Sequence, residues 1–184
     1  MNNNVVVGVT GSIAAHRAAD LASMLSKQGC ELRVVMTADA LRFITPLPFK
    51  TLSRHAVVTD LYDEEEGWQP THIKLADEAN LLVIAPATAN VIAKISLGIA
   101  DDALTCIALA LNPKARILIA PAMNGKMWLH AATQQNVSVL KSRGVEFIGP
   151  DKGLLSCGYE GLGRLWPVEK IAERVTEILR AAPP

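Results

Sequence analysis

Short apolar runs alternate along this chain with longer stretches in which apolar positions recur every three or four residues. Residues 5–9 (VVVGV), 32–36 (LRVVM), 81–85 (LLVIA) and 116–120 (RILIA) are the clearest runs, and 145–148 (VEFI) is a weaker fifth. Runs of this length, rich in β-branched residues, read as strands buried on both faces. Helical periodicity covers residues 13–28, closed by Gly29, and then 38–44, 89–97, 103–111, 133–143 and 168–179. Pro167 suits the first turn of the last of these. Strand and helix alternate from end to end, which predicts one α/β domain over residues 1–184, a parallel sheet covered by helices on both sides. Residues 46–71 and 149–164 lack a clear period and are long for plain connections, so functional loops are expected there.

Ligands in an open parallel sheet bind beyond the carboxyl ends of the strands, so the residues just past each strand matter most. These are Thr10-Gly11-Ser12, Thr37-Ala38-Asp39, Pro86-Ala87-Thr88-Ala89-Asn90 and Pro121-Ala122-Met123-Asn124. All four edges offer small residues, hydroxyls or amides, a surface on which backbone N–H groups and helix N-termini meet a phosphate closely. Any one of them also reads as an ordinary helix cap. Four together predict a ligand. Gly8-Val9-Thr10-Gly11 is not GxGxxG, no acidic residue is placed to hold a dinucleotide ribose, and no Walker pattern occurs. A mononucleotide with a single phosphate fits better than NAD or ATP. Asn124, just past the fourth strand, either caps a helix or binds something, and both readings stand.

Charge narrows the classes. Lys+Arg and Asp+Glu both number 18, so the net charge is zero and the electrostatic footprint of a nucleic-acid binder is missing. Residues 63–66 (DEEE) read as a solvated loop. The N-terminus has no signal-peptide pattern, and no apolar run approaches membrane-spanning length, that of residues 81–85 stopping at Pro86. Cys30, Cys106 and Cys157 form no CxxC pair, which argues against a zinc site or a disulfide framework and for a reducing cytoplasm, and no metal is expected. Aromatic residues make up only 4%, so a flat ligand is not expected to be held mainly by stacked rings. Cys30 and Cys106 read as small core residues. Cys157 differs: glycines at 153, 158, 161 and 163 surround it and suggest a mobile flap. His16, His55 and His130 read as surface histidines.

"PAMNGKMW", residues 121–128, satisfies the PxMNxxMW motif of the homo-oligomeric flavin-containing cysteine decarboxylases, a family that this chain resembles over nearly its whole length. "PATAN" (86–90) is similar to that family's PASANT motif, with Thr88 in place of its serine and Val91 in place of its final threonine. "THI", with His72, resembles the segment bearing the family's histidine. "LSCGYEGLGR" (155–164) looks like the cysteine-bearing clamp loop of the phosphopantothenoylcysteine decarboxylase branch. The resemblance implies a Rossmann-like (flavodoxin-like) three-layer fold that binds FMN, and trimers or dodecamers with sites shared between subunits. It implies that Gly11, Ser12 and Thr37 hold the FMN phosphate and ribityl chain, Thr88, Ala89 and Asn90 more of the flavin, and Ala122 its ring region. It makes Asn124 the binder of the substrate carboxylate, with Met127 and Gly158 also at the substrate, His72 the catalytic base or acid, and Cys157 a proton donor. The residues of the motif allow a plainer reading of Met123, Met127 and Trp128, as packing.

The chemistry explains why such residues belong together. A cysteine carboxylate leaves poorly, because the carbanion formed at Cα has no electron sink. Oxidising the thiol to a thioaldehyde places C=S beside Cα, and loss of CO2 then gives a delocalised ene-thiolate. The flavin supplies that oxidation and returns the electrons afterwards, so no nicotinamide site is required. An amide at Asn124 donates to a carboxylate without adding charge, whereas an arginine would hold the departing group as an anion. A thiol at Cys157 delivers the proton that gives saturated product; without it the reaction stops at the ene-thiol, as in the peptidyl-cysteine branch. The expected function is conversion of phosphopantothenoylcysteine to 4′-phosphopantetheine in coenzyme A biosynthesis. The rivals are a decarboxylase of C-terminal cysteine in peptides and a non-catalytic flavoprotein regulatory subunit.

Overall fold

Five parallel strands, β1 (Asn4–Val9), β2 (Glu31–Met36), β3 (Leu81–Ala87), β4 (Arg116–Pro121) and β5 (Glu146–Phe147), lie in the order β2-β1-β3-β4-β5. Side chains alternate across such strands, and this sends successive residues into two separate cores. Val5, Val7 and Val9, with Leu81, Val83 and Ala85, face one core; Val6, Leu82 and Ile84 face the other. The first core is closed by α1 (Arg17–Lys27), α2 (Leu47–Ser53) and α8 (Val168–Ala181). The second is closed by α3 (Thr71–Glu78), α4 (Ala89–Leu97), α5 (Ala103–Ala110), the short α6 (Gly125–Leu129) and α7 (Ala131–Ser142). The computed structural model describes residues 3–62, 69–154, 158 and 160–181, so the acidic run at 63–66 and Cys157 lie outside the described residues.

The helices form where spacing and caps agree. In α8 the buried residues Val168, Ile171, Ala172, Val175 and Ile178 recur at intervals of three and four, giving one apolar stripe. Complete burial of each large apolar side chain contributes about 1.5–3 kcal/mol. Asp102 starts α5 by accepting from Thr105 N at 2.8 Å, while Thr105 Oγ1 accepts from Asp102 N at 3.2 Å, a capping box that satisfies two donors reciprocally. No described helix is long and apolar enough to cross a membrane.

Several expectations are corrected. Residues 38–44 are not a helix; only a 3-10 turn forms at Ala40–Arg42. The helix is α2, inside the segment expected to be loop, with Pro48 in its first turn and Phe49 fully buried. One buried aromatic anchors this element, and seven residues are too few to display a period. Residues 149–164 contain a hairpin, β6 (Asp151–Leu154) paired antiparallel with β7 (Glu160–Arg164), whose glycine content masks the alternation expected of strands. Cys30 and Cys106 are half-buried rather than fully enclosed, Cys30 packing against the first core.

Candidate functional site

The strand order reverses direction between β1 and β3, and there a single side chain joins the two strand ends. Thr10, fully buried, donates from Oγ1 to Pro86 O at 2.7 Å and accepts from Thr88 N at 3.0 Å. Ser12 Oγ donates to Ala122 O at 3.3 Å and accepts from Ala14 N at 3.3 Å, tying the β1 loop to the end of β4. Ala122 N donates to Ala87 O at 3.0 Å. The ends of β1, β3 and β4 therefore form one braced rim. Position after a strand was the only signal for Thr10 in the sequence; its partners lie 76 and 78 residues away and became visible only with the sheet order.

A cleft of about 440 Å³ opens over this rim, within the range of small-molecule sites. Gly11 and Ser12 line it from the β1 loop, Thr88, Ala89 and Asn90 from the start of α4, and Ala122, Asn124 and Met127 from the β4–α6 connection. The backbone fits closely here: a Cβ on Gly11 would lie 2.4 Å from Asp39 Cβ. Thr88 caps α4 by accepting from Val91 N at 3.3 Å, and the first helical bond runs from Ile92 N to Thr88 O. The amides of Ala89 and Asn90 precede that bond, at the positive end of the helix and at the cleft wall. Val91 points into the second core instead.

Thr37 lies beside the cleft rather than in it. It lines an adjoining pocket of about 210 Å³ that shares Gly11, Asp39, Thr88 and Asn90 with the cleft, and its hydroxyl accepts from Ala40 N at 3.3 Å. Lys94 borders that pocket, bonded to Asp101 at 2.7 Å. This bond, against a smaller opposing effect of burial, holds the ammonium above its ordinary range.

Asn124 does two things at once. Its Oδ1 caps α6 by accepting from Lys126 N at 2.9 Å, and the residue also lines the cleft. Capping holds the amide oxygen at the helix start while the residue lines the cleft wall, so the cap does not take Asn124 away from the cleft. The next residues divide by helical position. Met127 lines the cleft and is half exposed, while Trp128 is buried in the second core. From the opposite side β7 closes on this segment, Met123 N donating to Gly163 O at 2.9 Å. A functional loop was expected at residues 149–164, but its contact with Met123 was not, because nothing local in a glycine-rich stretch names its docking partner.

Two expected site residues are not brought together with these. His72 is the second residue of α3 and does not line the cleft of its own chain; its Nδ1 is buried with no hydrogen-bond partner among the described residues. Gly158 is exposed, with φ of 88°, and is not among the lining residues. Cys157 lies outside the described residues. Among the described residues no cluster of His, Cys, Asp or Glu has the makings of a metal site.

Comparison with known proteins places this geometry. The Flavoprotein family model matches residues 1–180. The chain is 48% identical over 172 residues to the coenzyme A biosynthesis bifunctional protein CoaBC of Bacillus subtilis, covering 94% of this chain and 42% of that one. It thus spans under half the length of that relative. It is 39% identical over 179 residues to the probable phosphopantothenoylcysteine decarboxylase of Streptococcus mutans, covering 97% of this chain and all of that one. Among solved structures, a PPC decarboxylase mutant complexed with pantothenoylaminoethenethiol superposes with a TM-score of 0.88 at 29% identity, over 98% of this chain and all of the other. The FMN binding protein AtHal3 does so at 0.85 and 30% identity over the whole of both chains.

Proposed function

Because this chain belongs to the Flavoprotein family, we propose that it is an FMN-dependent carboxy-lyase, converting phosphopantothenoylcysteine to 4′-phosphopantetheine in the cytoplasm. The observation that carries the reading is the convergence of Ser12, Thr88, Ala89, Asn90 and Asn124 on one cleft at the β1/β3 switch point. A relative of nearly the same length bears the name of this activity.

The residues present suit a flavin mononucleotide. Ser12 Oγ and the amides of Ala89 and Asn90 would hold a single phosphate, and Thr37 and Thr88 the ribityl chain. Ala122 offers a small apolar wall that lets a flat ring approach the backbone. When bound, FMN supplies the oxidation of the substrate thiol and the later return of the electrons. Asn124, oriented by its capping bond, binds the substrate carboxylate with a neutral amide and so does not oppose its departure. Met127 packs against the substrate, and Gly158 follows Cys157 on the clamp. His72 moves the proton at the thiol, and Cys157 protonates the ene-thiolate carbon.

His72 belongs to α3, outside the cleft lining of its own chain. A homo-oligomer, trimer or dodecamer, supplies it from a neighbouring copy. The test is direct. Purified protein mixed with phosphopantothenoylcysteine should release CO2 and yield 4′-phosphopantetheine by mass, and its yellow cofactor, released by acid, should weigh as FMN. Turnover confined to peptides ending in cysteine, with an ene-thiol as product, would overturn the assignment, as would a stable, active monomer for the shared site.

A further inference from the structure

Resting on the reading that the substrate carries a phosphate, we infer that Arg164 selects the phosphorylated substrate over its unphosphorylated counterpart. Arg164 ends β7 and lines the cleft; among the described lining residues it bears the one positive charge, and Asp39 the one negative charge. The remaining lining residues are apolar or offer neutral hydroxyls and amides. Lys94, in the adjoining pocket, already has its charge balanced by Asp101 at 2.7 Å and Asp102 at 3.7 Å.

The hairpin places this guanidinium in a particular way. A Cβ on Gly153 would lie 3.0 Å from Arg164 Nη1 and 3.5 Å from its Cδ, so the side chain runs across β6 on a shelf that the glycine leaves bare. Its root is fixed, because the preceding residue, Gly163, is bonded to Met123 in the cleft wall. Its tip is only steered: Nη2 lies 4.0 Å from Asp151 Oδ2, beyond hydrogen-bond length, and the side chain is 57% exposed. An exposed pair at that distance contributes little. A planar fork of donors, anchored at its base and loosely paired at its end, suits two-point binding of a phosphate monoester. Ser12 and the α4 amides, also in the cleft lining, are left for the cofactor's phosphate.

The test compares holoenzyme turnover of phosphopantothenoylcysteine and pantothenoylcysteine for wild type, Arg164→Ala, Arg164→Lys and Asp151→Asn. The preference for the phosphorylated compound, taken as the ratio of kcat/KM values, should fall about tenfold or more in Arg164→Ala, as a lost charge-assisted hydrogen bond implies. Arg164→Lys should recover part of it, retaining charge but not the fork. Asp151→Asn should keep or raise the preference, whereas a merely structural Arg164–Asp151 pair predicts a loss equal to that of Arg164→Ala. FMN affinity, read by fluorescence titration, should not change in any variant. An unaltered ratio in Arg164→Ala overturns the inference, and so does a parallel loss of FMN binding. Calorimetric binding of 4′-phosphopantetheine against pantetheine separates this inference from the functional reading. If wild type turns over neither substrate, the functional reading fails. A phosphate preference in binding that Arg164→Ala abolishes still upholds Arg164, and its absence overturns it.

Discussion

Gly163 accepts a hydrogen bond from Met123 N at 2.9 Å, and a Cβ at 163 would lie 2.2 Å from Met123 O. The two backbones are in direct contact, and this contact joins the β6–β7 hairpin to the segment that carries Asn124. A side chain at 163 must separate them.

Gly163→Ala should therefore lift the hairpin off the cleft wall. Gly163 also has φ of 154°, a conformation rare for other residues. Strain of this kind costs about 1–3 kcal/mol, or a fall in Tm of several degrees at about 2–4 °C per kcal/mol. Calorimetry checks the stability. Because the hairpin lines the cleft, substrate KM should rise as well; a variant with wild-type Tm and KM would show the contact to be dispensable.

Thr10→Val keeps the shape of the side chain and deletes the hydroxyl that joins Pro86 O to Thr88 N. Two backbone groups, one buried and one partly buried, lose their partner, each at a cost of about 1–3 kcal/mol. Chemical denaturation should show a loss of at least about 2 kcal/mol, and FMN affinity should weaken because β1 and β3 splay at the switch point. Ser at this position, which restores the hydroxyl, should recover most of both.

Cys157→Ser should still bind FMN and still release CO2 from phosphopantothenoylcysteine, but stall at the ene-thiol. A serine hydroxyl is a far weaker acid than a thiol, and general acid catalysis is commonly worth about 10²–10⁴-fold. Mass spectrometry of the quenched reaction distinguishes the unsaturated from the saturated product. His72→Asn, by contrast, should release little CO2. Normal turnover by Cys157→Ser would make Cys157 a bystander and reopen the peptide-substrate branch.

Acid should loosen the end of the sheet. Arg174 bonds Glu146 on β5 through both Nε and Nη2 and holds that carboxyl below the usual glutamate value. A carboxyl whose folded pKa is lowered contributes stability that is present above its unfolded value, about 4.3, and lost as pH falls toward the folded one. Glu146→Gln should lower Tm at neutral pH and flatten the decline of Tm below about pH 4.3. An acid limb that keeps its full slope in the variant would assign the decline to other carboxylates.

Strand runs such as residues 81–85 and the apolar stripe of α8 were legible from the sequence, because burial on both faces or on one stripe writes itself into local periodicity. The specific motif at 121–128 gave the family, and the small residues after each strand marked which edge of the sheet to read. What local pattern could not supply was proximity across the chain. Thr10 meets Pro86 and Thr88 only because β1 and β3 are neighbours in the sheet. Asn124 is cap and cleft residue together because capping turns its amide to that wall. The hairpin at 151–164 contains four glycines, which erase the alternation that would announce strands, and its site on Met123 is a backbone contact with no side chain to advertise it. Sequence determined the parallel strands, the longer helices and the chemistry on offer, since these follow from residue type and spacing. Only the tertiary structure decided which of those groups face one cleft, and that His72 lies outside the lining of its own, because the contacts that settle it join residues far apart in the chain.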